Sequence, residues 1–306
     1  MRTTTSSGAG RGSATSRISP SPGARSQNAR AVWGIWFLRG ELPGPHGRVE
    51  EVDRAVHTGR DTGTSTLEKG CPERAAAASA QLLLLAGLAG AFEVGLLGVL
   101  VGAGYAAALL GLLSAAMYRA GRPRLGPADV VTLTRALLVG GVTAVVVDGL
   151  DRGSAAVPAL VGLAAVALLL DAVDGRVARR TGTVSALGAR FDMEVDAFLI
   201  LVLSVHVAGV VGPWALAIGA MRYAFVAAGW AWPWLRGPLP PSYAGKTVAA
   251  LQGVVLVVVS AQVLPPALAV ALVAVALALL CWSFGRDVRR LWVGARPVPT
   301  PRPASG

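Results

Sequence analysis

Between residues 77 and 285 the chain is mostly apolar, broken only by short polar links, and that pattern leaves few folds open. The stretch 77–118 is long enough for two membrane spans at about 20 residues each. Six further apolar runs follow, at roughly 129–148, 155–172, 196–211, 214–232, 247–263 and 267–284. Inside a bilayer every backbone N–H and C=O must be satisfied within the protein, so such runs fold as helices. The expected fold is all-α, a polytopic membrane bundle. Composition agrees, with 54% of 306 residues hydrophobic, 15% charged and a mean hydropathy of +0.58. The apolar residues are largely Ala, Val, Leu and Gly, and small residues let helices approach closely in lipid.

The formal net charge is +11, which on a soluble protein would suggest nucleic acid. Here the basic residues fall in the tails and in alternate breaks between apolar runs: 119–124, 176–190, 236–246 and 286–290. The other breaks carry almost none; DGLDRGS (148–154) sets one arginine beside two aspartates. One orientation satisfies every loop, with the basic breaks in the cytoplasm, where they also favour anionic headgroups. No basic patch is interleaved with aromatics as single-strand binding needs, so nucleic acid is not an expected partner. Cys71 and Cys281 form neither a disulfide framework nor a metal-ligand spacing. His206, inside an apolar run, reads as a buried hydrogen-bonded residue.

Four regions are expected. Residues 1–75 are polar and compositionally disordered; within them AVWGIWFL (31–38) is too short to span, and no secretory signal order is present. An extra hairpin at 77–118 turns near GAGY (102–105), with Glu93 inside its first helix. A six-helix domain covers 127–285, and a basic, Pro-rich tail covers 286–306.

The stretch DAVDGRVARRTGTVSALGARFDMEVD (171–196) interrupts this apolar pattern with five acidic residues among arginines. Charge at the end of a membrane helix is costly unless paired, metal-bound or wet, so it marks a functional site. Asp171 and Asp174 are three apart and share a helix face, continued by Gly175 and Ala178. Asp192 and Asp196 are four apart and also share a face, with Gly188 four residues before. Two helices that each pair carboxylates with near-absent side chains can converge on one bulky ligand. Four close carboxylates need a counter-charge. Hard divalent cations supply it, and magnesium commonly bridges carboxylates to phosphates. Two such ions would clamp a diphosphate, Arg179 would add a fork of donors, and one aspartate could serve as general base.

The spacing D-x-x-D-G-x-x-A-R-x8-G-x3-D-x3-D, complete from Asp171 to Asp196, resembles that of the CDP-alcohol phosphotransferase family. The resemblance covers about the second half of the chain and implies six transmembrane helices, with the motif across the end of the second and the start of the third. By this resemblance Asp171, Asp174, Asp192 and Asp196 are metal ligands for Mg2+ or Mn2+, with two ions expected. Asp196 is the base that deprotonates the acceptor hydroxyl. Gly175, Ala178, Arg179 and Gly188 bind the nucleotide. PADVVTLTR (127–135) resembles the family's first-helix start P-N-x-x-T-x-x-R, with Asp129 in place of Asn. Thr132 and Arg135 match it, Thr132 as a nucleotide contact and Arg135 as an acceptor contact or a headgroup-seeking charge. AGKTVAALQG (244–253) resembles the fifth-helix start of the phosphatidylglycerophosphate synthase branch through Gly245, Lys246 and Gln252. Val248 and Ala249 stand where that branch has Lys-Thr. Lys246 is a candidate for an acceptor phosphate.

Arg222 lies mid-run, where a charge costs about 2.5–3.5 kcal/mol. It should face inward and either bind an acceptor phosphate or pair with an acid such as Glu93. The implied reaction is attack of an alcohol on the β-phosphate of a CDP-alcohol, with release of CMP. CDP-diacylglycerol is the expected donor and a small polar alcohol, of glycerol 3-phosphate or inositol phosphate type, the expected acceptor. A soluble CDP-alcohol with a lipid acceptor fits the motif equally. Membrane lipids and, by resemblance, a second copy are further expected partners. The expected location is the bacterial cell (inner) membrane, with the site facing the cytoplasm.

Other classes compete. A membrane prenyltransferase also holds a diphosphate through aspartate-bound magnesium, but lacks the fixed G-x-x-A-R-x8-G between acidic pairs. A cation transporter would spread its acids across membrane depth, whereas all four aspartates gather at one end. A non-catalytic scaffold would not require the motif to be intact.

Overall fold

The computed structural model describes residues 71–119, 127–153, 155–181, 186–237 and 243–294. The sequence readings on 1–70, on the loop 120–126, on 238–242 and on the tail after 294 lie outside these residues. The described chain is all helical: α1 Cys71–Phe92, α2 Leu96–Arg119, α3 Pro127–Arg152, α4 Val157–Thr181, α5 Ala186–Val211, α6 Leu216–Ala231, α7 Tyr243–Ser260 and α8 Pro266–Gly294. Short 3-10 turns, Pro213–Ala215 and Pro233–Arg236, precede and follow α6. Six α-helices thus follow the hairpin among the described residues, in register with the six apolar runs. Five helices, α1, α2, α3, α5 and α8, are long and apolar enough to cross a membrane, and α4 and α7 hold shorter apolar stretches. The chain is therefore an integral membrane protein.

Helix boundaries follow local chemistry. Prolines open α3 and α8, where a missing N–H costs nothing. Gly153, just after α3, takes φ 75, the left-handed conformation that ends helices readily.

α3 is the central helix. In its most apolar window 72% of the residues are buried, against 22% in α1 and 22% in α2. It packs on α1 and α2 at one side and on α4 and α5 at the other. Val139, Val142 and Val145 of α3 meet Leu160 and Ala164 of α4 and Leu199 and Leu203 of α5 in one core, which continues through Leu256 of α7 and Val273 of α8. Leu82, Leu83, Leu100 and Leu112 of the hairpin are exposed, as lipid-facing residues should be.

The hairpin turns at 93–95, not near 102–105. Gly102 is a packing residue inside α2: a Cβ there would lie 2.8 Å from Leu85 Cδ2 and 3.1 Å from Ala144 Cβ. Glu93 is not inside a helix; it occupies the turn with φ 54. That turn is tied to the far end of α3. Asp148 Oδ1 accepts the Gly95 N–H at 2.7 Å, and Arg152 Nη1 donates to the Glu93 carbonyl at 2.6 Å. Arg152 Nε also pairs with Asp148 Oδ1 at 3.1 Å.

Candidate metal and nucleotide site

The motif straddles the end of α4 and the start of α5, and α3 faces both. Thr132 and Arg135 are three apart on α3 and share a face. Both are buried, Arg135 completely. The Arg135 guanidinium joins the two carboxylate-bearing helices. Its Nη1 donates to Asp171 Oδ1 at 2.7 Å. Its Nη2 donates to Asp192 Oδ1 and, at 3.1 Å, to the Asp192 carbonyl, and forms an ion pair with Asp196 Oδ1 at 2.9 Å.

Asp171, Asp192 and Asp196 each offer an atom within 4.8 Å of the others. Their side chains are 41%, 34% and 39% exposed, while the arginine is 0% exposed. The cation therefore approaches from the protein side, and the carboxylates keep an open side. Among the described side chains, with all three ionised, one guanidinium against three carboxylates leaves two negative charges, the charge of one divalent cation. The donor set is all oxygen, as magnesium and manganese prefer. The cluster thus fits a hard divalent ion.

The other motif positions are distributed as follows. Asp174, Gly175, Ala178 and Arg179 lie on the α4 helix, but their side chains fall outside the described residues. Gly188 is partly buried in the first turn of α5. Lys246 is exposed in the first turn of α7. Gln252, grouped with it by resemblance, instead ties α7 to α8, donating from Nε2 to the Ala276 carbonyl at 2.8 Å.

Arg222 of α6 does not meet Glu93. It pairs with Glu194 of α5 at 2.5 Å. Glu93 lies in the turn between α1 and α2, which is held to the Arg152 end of α3. Sequence reasoning passed over Glu194 because it fills a variable position between Asp192 and Asp196. The usable signal was its spacing: two residues from each aspartate, it cannot share their face of the helix and turns to α6. α6 comes close because Gly219 has no side chain; a Cβ there would lie 2.5 Å from Leu201 Cα. A second feature is Tyr105 of the hairpin, which stacks on Phe198 of α5 with ring centroids 5.0 Å apart. His206 faces the Ser260 backbone and is partly buried.

A family model described as CDP-alcohol phosphatidyltransferase matches residues 126–282, about half of the chain. Neither a curated protein nor a solved structure matches the chain.

Proposed function

From the premise that the chain belongs to the CDP-alcohol phosphatidyltransferase family, a family of transferases, we propose that it transfers a phosphatidyl group from CDP-diacylglycerol to a small polar alcohol in phospholipid synthesis. One observation carries the reading: carboxylates from two helices, Asp171 of α4 with Asp192 and Asp196 of α5, converge within 4.8 Å. The acceptor oxygen attacks the β-phosphorus, the P–O bond to CMP breaks, and the acceptor proton passes to the Asp196 carboxylate. The family is generally dependent on a divalent metal. Asp171, Asp174, Asp192 and Asp196 would hold the ions, magnesium or manganese and two by resemblance. When bound they supply Lewis-acid stabilisation of charge on the diphosphate.

Thr132, Gly175, Ala178, Arg179 and Gly188 are the proposed nucleotide contacts. Arg135 is wholly buried and held by carboxylates of two helices, whereas Lys246 is exposed and Arg222, although paired with Glu194, is partly exposed, which favours Lys246 and Arg222 for an acceptor of glycerol 3-phosphate or inositol phosphate type. The basic helix ends around the motif support a cytoplasmic site in a bacterial cell membrane. A homodimer is proposed by resemblance alone. Clustering of the acids at one end of the bundle counts against a transporter.

The test is CMP release by the purified protein in lipid with magnesium and CDP-diacylglycerol, across a panel of acceptor alcohols. Metal-dependent release with one acceptor, lost in Asp196→Asn, is expected. Absence of release with every acceptor from folded protein would reject this donor.

A further inference from the structure

We propose that Arg135 is a positioning residue of the carboxylate cluster rather than a substrate ligand. Its guanidinium holds Asp171, Asp192 and Asp196 in the orientation from which they take a divalent cation. The inference rests on the metal reading above and adds to it a residue outside the acidic motif.

Three observations carry it. First, Arg135 is wholly buried on the most enclosed helix, between Leu133, Ala136 and Leu137, all buried. A guanidinium there is retained only if paired and hydrogen-bonded, since desolvation costs several kcal/mol. Second, its pairing spans α4 and α5. One nitrogen takes Asp171; the other takes Asp192 and Asp196 together with the Asp192 carbonyl. Only a planar fork reaches partners on two helices in this way; an ammonium is a point charge. Third, among the described residues each of the ion pairs to Asp171, Asp192 and Asp196 uses one carboxylate oxygen, Oδ1. A carboxylate offers about four acceptor positions on two oxygens, so the pairing does not exhaust it.

The direction of approach separates positioning from competition. A cation that competed for the ligands would sit on their open side. Arg135 instead reaches them from the protein interior, at 0% exposure, while the aspartates remain 34–41% exposed. It therefore acts as the hydrogen-bonding partners behind metal ligands commonly do. Loss of such a partner typically costs about 10–100-fold in metal affinity.

The experiment is direct Mn2+ binding to the purified full-length protein in detergent, followed by the electron paramagnetic resonance of free Mn2+, without nucleotide or acceptor. Arg135→Gln is expected to weaken Mn2+ binding by about tenfold or more. Arg135→Lys, which keeps the charge without the fork, should recover only part of that loss. Unchanged binding in Arg135→Gln would overturn the proposal. So would tighter binding, the result expected of a competing cation. If Arg135→Gln does not fold, Arg135→Lys decides: affinity equal to the unaltered protein overturns the proposal, and a severalfold loss supports it. Asp171→Asn is run alongside. If the unaltered protein fails to bind Mn2+, or Asp171→Asn binds as tightly as it does, the metal reading itself fails; a normal Asp171→Asn loss with unaffected Arg135 variants rejects only the role of Arg135.

Discussion

Asp192, Glu194 and Asp196 lie within one turn and a half of α5, yet they face different neighbours. The two aspartates, four apart, point to Arg135 on α3, and the glutamate between them points to Arg222 on α6. The same short segment therefore serves the proposed metal site on one side and a second ion pair on the other. Asp196→Asn keeps the size of the side chain and removes its basicity. Turnover should fall by about 10²–10⁴, the usual contribution of a general base, while nucleotide binding measured by equilibrium dialysis persists. Retained turnover would take the base role from Asp196.

Arg222→Ala tests a different function. The Arg222–Glu194 pair is partly exposed, 26% and 45%, so its loss should change stability by no more than about 1 kcal/mol. If Arg222 also contacts the acceptor phosphate, the acceptor KM should rise by about tenfold or more, as for a lost hydrogen bond to a charged group. The CDP-diacylglycerol KM should not move. Unaltered kinetics would remove Arg222 from the acceptor site. The shared face of Asp192 and Asp196 was legible in the sequence because helix spacing alone sets it. The partner of Arg222 was not, because it depends on how closely α6 packs on α5 at Gly219.

At the scale of elements, the hairpin α1–α2 lies outside the matched family region but is bound into the bundle through α3. Gly98 of α2 lies against the α3 backbone: an added Cβ would sit 2.5 Å from the Ala144 carbonyl oxygen. Backbone cannot yield as a flexible side chain would, so Gly98→Ala forces the helices apart. A loss of about 1–3 kcal/mol is expected, as for other overpacked contacts, read as a lower melting temperature in detergent. Asp148→Ala should act in the same direction, stranding the Gly95 N–H and Arg152 at a cost of about 1–3 kcal/mol. Both changes lie at the end of α3 away from Arg135, so the activity of the folded fraction should be retained. A loss of activity without loss of stability would show that the hairpin turn couples to the site.

The helices themselves were legible from apolar run length, but the hairpin turn was misplaced. Glycines in GAGY carry the composition of a turn, and Gly102 instead serves close packing against Leu85 and Ala144. The actual turn contains Glu93 in a left-handed conformation and is held by Asp148 and Arg152, distant partners that no local pattern reveals.

For the whole molecule, the governing question is which side of the membrane the carboxylates face. Successive helices alternate direction. One end of the bundle gathers the starts of α1, α3, α5 and α7 and the end of α8, including Arg74, Lys246, Arg289 and Arg290. The opposite end gathers Glu93, Asp148, Asp151 and Arg152, where acids outnumber bases. The proposed orientation puts the first end, with its gathered basic residues, in the cytoplasm, the side from which a nucleotide-linked donor would be supplied. Asp151 and Arg289 are both exposed and lie at opposite ends, so they report on this assignment. With Cys71 and Cys281 replaced by serine, Asp151→Cys should react with a membrane-impermeant thiol reagent in intact cells. Arg289→Cys should react only after the membrane is opened. The reverse pattern would put the proposed site on the outer face, beyond the reach of a cytoplasmic CDP-alcohol, and would overturn the orientation while leaving the fold intact.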